Sequence, residues 1–315
     1  GRVSPTARYR TRLKAYLDER FPLLAQGLLI LSYYSSTQFL AQVLHNCAGP
    51  VVYSSASVWG ALLVFLIFFH LRDCDEHKDF ADDQRNYPDR ILSRGVFTLR
   101  EIRLLGILGV VLQLLIAGAR SPAALVALLL TLGYSLLMLK EFFVSEWLKR
   151  RFLLYTASHM VIMPFIALTV FSFVTGELPW YAPGWYWLYA FVGLCVTLNW
   201  EISRKIRAAQ DELEGVESYS SRFGYRRAAQ LVLGVRCIDT GLVFLVGAKL
   251  GLGPLFFPSL LGLFVLTTVS YKNFVDHPSR KSAKLLEIVA GMYILAFDII
   301  LAAAIAERFG VTWNL

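Results

Sequence analysis

The 315-residue sequence is poor in charge: Asp, Glu, Lys and Arg together make up 17% of it, against about a quarter in a soluble globular domain. A hydrophobic share of 56% and a mean hydropathy of +0.53 accompany that deficit. The balance is that of a polytopic membrane protein. Cysteine is scarce as well. Cys47, Cys74, Cys195 and Cys237 are far apart, with no C-x-x-C spacing, which argues against a zinc site or a disulfide framework. A cleavable signal pattern is also missing. The basic opening (Arg2, Arg8, Arg10, Arg12, Lys14, Arg20) leads into a full-length hydrophobic segment rather than a short one.

What the sequence does contain is a series of long apolar runs. A helix crossing about 30 Å of hydrocarbon needs roughly 20 apolar residues. Nine segments meet that need: 21–45, 51–71, 104–119, 122–139, 152–175, 181–200, 228–249, 254–271 and 284–306. "NCAGP" (46–50) and "GARSPAA" (118–124) read as tight turns within helix pairs. All but four of the 31 Lys and Arg residues fall on the N-terminus or on loops of its side, the exceptions being Arg120, Arg236, Lys249 and Arg308. Positive residues stay on the cytoplasmic side. The N-terminus is therefore expected inside and the C-terminus outside. The net charge of +8 is then mostly topological, and no nucleic-acid partner is expected.

Two charged loops are unusually long, 72–103 after the second segment and 201–227 after the sixth. They lie four helices apart, and duplicated halves with a site at their interface are common in membrane proteins. The expected fold is an all-α polytopic membrane protein of nine transmembrane helices. It would be one domain, 1–315, built from two four-helix pseudo-repeats plus one helix.

The first loop opens with "RDCDEHKDFADDQRNYPDRILSRG" (72–95) and holds Asp73, Asp75, Glu76, Asp79, Asp82 and Asp83. Asp75, Asp79 and Asp83 recur every four residues. On a helix each such step turns about 40°, so they form a slowly turning ladder. Like charges at this spacing destabilise a bare helix. Mg²⁺ is the natural offsetting cation, since it takes carboxylate oxygens and waters and is completed by substrate phosphates. Lys78, Arg85, Arg90 and Arg94 are placed to hold phosphate oxygens. The blander reading is a solvated acidic stretch at a helix end.

The same stretch resembles the first aspartate-rich motif of the UbiA superfamily of intramembrane prenyltransferases, N-x-x-x-D-x-x-x-D followed by N-x-P-x-R-P and S-G. Asp75 stands at the Asn position, Asp79 and Asp83 at the two Asp positions, then Asn86, Pro88 and Arg90. Ile91 replaces the Pro, and Arg94-Gly95 replaces Ser-Gly. The resemblance also implies nine transmembrane helices with this motif after the second. In the second loop the right half fits the family pattern through Asp211, Gly215, Ser218 and Phe223-Gly224. The left half departs: Arg207 stands where an Asp is common, and Ser203-Arg204 stand for Lys-Asp. Lys205 and Arg207 would then take over phosphate neutralisation from a second metal ion, or Glu212 or Glu214 would restore ligation; otherwise the loop only holds structure. Arg204, Arg222, Arg226 and Arg227 read as topological charges.

The resemblance implies a Mg²⁺-dependent prenyltransferase acting on a prenyl diphosphate donor among membrane lipids. Asp75, Asp79 and Asp83 would hold metal and Asp211 a second metal or a water. Lys78, Arg90, Arg94, Lys205 and Arg207 would hold diphosphate. The acceptor is not legible. A terpene cyclase of the same superfamily, using no external acceptor, is the runner-up, and a non-catalytic lipid-binding or transport protein the third reading. Within the spans, Arg236 and Asp239 are spaced to pair, Lys284 and Glu287 likewise, Asp298 is expected to face protein or water, and His159 reads as a satisfied core histidine.

Overall fold

The computed structural model describes residues 5–46 and 49–315; Arg2, Cys47 and most of the 46–50 turn's centre therefore lie outside the described residues. The chain opens with a polar helix, α1 (Pro5–Arg20), followed by α2 (Leu23–Asn46) and a short strand β1 (Val51–Ser54). Then come α3 (Ser55–Asn86), α4 (Leu99–Arg120), α5 (Pro122–Leu139), α6 (Ser145–Lys149), α7 (Phe152–Met160), α8 (Ile162–Thr175) and α9 (Gly184–Ser203). The last third holds α10 (Tyr219–Phe223), α11 (Tyr225–Leu250), α12 (Phe256–Asp276), α13 (Arg280–Phe309) and β2 (Val311–Asn314).

Among the described residues, six helical segments are by length and composition apolar enough to cross a membrane: α3, α4, α5, the α7–α8 pair, α11 and α13. The other three expected segments coincide with α2, α9 and α12, which are more polar; α2, for instance, buries Ser36, Thr37 and Gln38. The outer surface is apolar in the manner a bilayer requires, with Leu108, Leu115, Val269 and Ile299 exposed.

Local signals set the helix ends. Thr98 accepts from the Glu101 amide at 3.2 Å while Glu101 reaches back to the Thr98 amide at 2.9 Å, a reciprocal cap that starts α4. Ser121 caps α5, whose first residue is Pro122. The break between α7 and α8 at Val161 follows from Pro164, which lacks an N–H and crowds the carbonyl four residues back. Two cores flank α2 and α8. One gathers Leu63, Ile67, Leu128 and Ile166, and the other Phe39, Leu40, Phe171, Tyr186, Leu260 and Ile305. β1 and β2 pair in parallel, Val51 with Val311 through Ser54 with Asn314, and tie the end of the chain to the start of α3.

The structure changes one expectation. Residues 72–86 are not a loop: α3 runs unbroken from its apolar part to Asn86. Only 87–98 form turns before α4. The second charged region is irregular, with a 3₁₀ turn at Ala209–Asp211 and the short α10.

Candidate active site

Because α3 continues as a helix, its acids keep the four-residue spacing as a real face. That face closes one side of a cavity of about 510 Å³. Its other walls are the first half of α2, the end of α5, α7, the start of α8, the end of α9 and the middle of α13. The mouth is polar, lined by Arg72, Asp75, Lys78 and Asp79 from α3 and by Glu201, Arg204 and Lys205 at the end of α9. Below it the wall is apolar and aromatic, with Phe21, Tyr33, Phe68, Tyr155 and Trp200.

The charges are held in place by one another. Lys78 lies 3.5 Å from Asp75 and above the Tyr155 ring. Glu201, nearly buried, accepts from Arg204 at 2.6 Å and pairs with Lys205 at 2.8 Å. Arg204 also lies over the Trp200 ring, 5.1 Å from its centroid. Burial opposes the Arg204 charge, but Glu201 beside it more than compensates and raises its pKa. Among the charges acting on Asp79 are Lys78, Asp75 and, from across the mouth, Lys205. The two motif regions thus meet electrostatically at one opening.

Other expected site residues stand apart. Asp83 is ion-paired with Arg20 of α1 at 3.6 Å and, more closely, with Arg90. Arg90 also stacks on Tyr87, 3.9 Å from the ring centroid. Arg94 is exposed, and neither it nor Arg90, Arg207 or Asp211 lines the cavity. In the second region, Asp211 Oδ2 and Arg207 Nη1 are buried without hydrogen-bond partners. Glu212 is committed to the loop, accepting from Ser218 at 2.7 Å and from Ser220 at 2.5 Å. Among the described residues no group of three His, Cys, Asp or Glu side chains is gathered to hold a metal ion. Of the expected trio on α3, Asp75 and Asp79 line the cavity, and Asp83, with its two arginine partners, does not.

Several cavity residues escaped the sequence reading. Arg204, taken for a topological charge, lines the mouth. Arg72 does too, with its Nε buried and unpartnered; its only signal was its place as the first charge after an apolar run. His159 is satisfied at one nitrogen only. Its Nδ1 meets the Tyr155 carbonyl at 2.7 Å, while Nε2 is buried without a partner. The remaining intramembrane charges lie elsewhere. Arg236 and Asp239 pair at 2.9 Å, both fully buried, with Arg236 against the Tyr293 ring. Asp298 accepts from Ser36 at 2.8 Å, and Lys284 pairs with Glu287 at 2.9 Å.

Comparison with known proteins decides the family. The sequence profile of the UbiA prenyltransferase family matches residues 46–296, which include both motif regions. The chain belongs to the UbiA prenyltransferase family. No curated protein matches it in sequence. Among solved structures it is similar to the apo form of a UbiA homolog from Aeropyrum pernix K1, at 17% identity and a TM-score of 0.66, covering 87% of this chain and 96% of that one. It is also similar to a digeranylgeranylglyceryl phosphate synthase, at 17% identity and a TM-score of 0.60 over 93% and 99% of the two chains. A UbiA homolog from Archaeoglobus fulgidus bound to GPP and Mg²⁺ follows at 16% identity and a TM-score of 0.57, covering 91% and 99%. At these identities the likeness is one of fold. The UbiA fold accounts for the largely helical architecture, and with six apolar helical segments it makes this an integral membrane protein.

Proposed function

We propose that this UbiA-family protein is a Mg²⁺-dependent intramembrane prenyltransferase that ionises a prenyl diphosphate and transfers the prenyl group to an acceptor. One observation carries the reading. A single cavity sets carboxylates and cations from two distant chain regions around its mouth, above an aromatic chamber. A prenyl diphosphate has the same polarity, head and tail. The A. fulgidus homolog bound to GPP and Mg²⁺ supports the same substrate class.

Asp75 and Asp79 fit Mg²⁺, which is commonly bound by one or two carboxylates plus substrate phosphates rather than by a full protein cage. Asp79 makes no ion pair among the described residues, and Asp75 makes only the 3.5 Å contact with Lys78. The metal, when bound, would supply Lewis-acid neutralisation of the diphosphate. Lys78, Arg72, Arg204 and Lys205 hold the diphosphate oxygens and stabilise charge that develops as the C1–O bond breaks. The electron pair of that bond leaves with diphosphate. Tyr33, Phe68, Tyr155 and Trp200 face the allylic cation or the tail, which aromatic faces attract. The acceptor's nucleophile then forms the new bond to C1 and loses its proton.

In this proposal Asp83 and Arg90 serve as anchors that fix the extended end of α3. Arg94, Arg207 and Asp211 act outside the cavity, where the unpartnered Nη1 of Arg207 would meet the departing diphosphate and the unpartnered Oδ2 of Asp211 would hold a water. All nine helical segments span the bilayer, as two four-helix repeats plus α13. The N-terminus and both motif regions face the cytoplasm, and the C-terminus lies outside.

The test uses purified protein in detergent with Mg²⁺ and donors of graded length. Diphosphate release that depends on an added acceptor, with a prenylated product, is the expected result. Release of a hydrocarbon or terpene alcohol from the donor alone would assign the chain to cyclisation instead. Unchanged release from every donor by Asp75→Ala and Asp79→Ala would remove the basis for the metal site.

A further inference from the structure

A second cavity lies at the opposite end of the bundle. It encloses about 270 Å³ between the end of α2, β1, the start of α3, and the last turns of α4, α8 and α13. The first cavity uses the other ends of α2 and α3, so the two openings are separated by the length of the helices.

We propose that this second cavity is a binding site for a phosphate group, carried by a lipid headgroup or free. Its lining includes hydrogen-bond donors. Gln38 and Tyr34, each only 1% exposed, line it, and Gln38 Nε2 and Tyr34 Oη are buried without protein partners. Buried polar atoms are nearly always paired, so two orphans at one cavity mark a missing partner. Arg120 supplies a cation. Its Nε donates to the Phe173 carbonyl at 2.8 Å and its Nη2 to the Val174 carbonyl at 3.4 Å, which fixes the guanidinium at the rim. Ala56 and Ser57 bring the N-terminus of the 32-residue α3 to the same space, where helix amides and dipole favour an anion. Among the described residues no carboxylate lines the cavity. Gln42 is not available for binding, since its amide is closed on the Val52 N–H and carbonyl at 2.7 and 2.9 Å. Phe173, Val174 and Phe309 give the site an apolar flank suited to the acyl chains of a lipid.

The experiment is equilibrium binding to the purified full chain in detergent, with inorganic phosphate in one arm and dihexanoyl phosphatidic acid in the other. Wild type is compared with Arg120→Gln, Gln38→Leu and Lys205→Gln. Saturable binding in either arm is expected, about tenfold weaker in Arg120→Gln and in Gln38→Leu, the equivalent of one lost charge-assisted hydrogen bond. With the first cavity held filled by Mg²⁺ and a non-hydrolysable prenyl diphosphate, Lys205→Gln there should leave it unchanged. Binding in the lipid arm alone assigns the phosphate to a headgroup, and binding in both assigns it to the group itself. Gln38→Leu keeps the Arg120 contacts that cap α8, so its unchanged melting curve separates lost binding from lost folding. No saturable binding to wild type, or binding weakened by Lys205→Gln and indifferent to Gln38→Leu, overturns the proposal.

Discussion

Glu201 illustrates how much of this site depends on residues that never touch the reaction. Its two oxygens hold Arg204 and Lys205, so a neutral replacement leaves both cations with more rotamers to search. Glu201→Gln is expected to raise the KM for the prenyl diphosphate about tenfold, in line with a loss of roughly one charge-assisted contact, and to change kcat less. Steady-state kinetics with a saturating acceptor would show it. Arg204→Gln should behave in the same direction, whereas Arg222→Gln should be silent, because Arg222 pairs with Glu217 and the Arg150 carbonyl outside the cavity. For Asp79→Ala the expected fall in diphosphate release is about a hundredfold or more. At this scale the sequence exposed the acids on α3 through their spacing alone. It could not expose Arg204 or Arg72, because a membrane-edge arginine looks the same whether it faces lipid phosphates or a cavity; only the cavity that the ends of α3 and α9 line together distinguishes them.

At the scale of the element, α3 departs furthest from its sequence reading. Hydropathy ends at residue 71, and nothing in hydropathy says whether a charged stretch beyond it is helix or coil. Tertiary contacts supply the answer. Arg20 of α1 donates to Glu76 at 2.6 Å and reaches Asp83, and Arg12 of α1 pairs with Glu101 of α4 at 2.7 Å. α1 is thus a brace across the extended end of α3. Arg20→Ala would strand Glu76, which is 2% exposed, and is expected to cost about 3 kcal/mol or more, since removing one partner leaves a buried charge. Thermal unfolding in detergent would register it. The apolar helices were legible because long runs have few alternatives. Their contacts were not: Gly247 of α11 matters because a methyl group there would collide with the Phe256 ring of α12. Gly247→Ala is expected to destabilise by about 1–3 kcal/mol, again read from the melting temperature, with diphosphate release by the surviving folded protein unchanged.

At the scale of the whole molecule, the charge asymmetry of the chain and the position of the cavity agree. The mouth lies at the end of the bundle that carries α1 and both basic motif regions. With Cys47, Cys74, Cys195 and Cys237 replaced by serine, a single cysteine introduced at Lys281 should therefore react with a membrane-impermeant maleimide only after the inner face is opened, and one at Gly253 should react in intact cells; the reverse pattern would invert the proposed orientation. The parallel pairing of β1 with β2 closes the other end. It was invisible in the sequence, since a four-residue strand whose partner is some 260 residues away leaves no periodic trace.

The lining of the mouth also sets an electrical condition. Arg72, Lys78, Arg204 and Lys205 face Asp75, Asp79 and Glu201, an excess of one positive charge. A prenyl diphosphate brings about three negative charges, one on the inner phosphate and about two on the terminal one. One divalent ion makes the loaded chamber neutral, and a second would leave it doubly positive inside a low-dielectric wall. Under the proposed function, the departure of the second motif from the family pattern becomes a matter of stoichiometry: arginine and lysine would stand in for an ion, and calorimetric titration with Mg²⁺ and a non-hydrolysable diphosphate should count about one ion per chain.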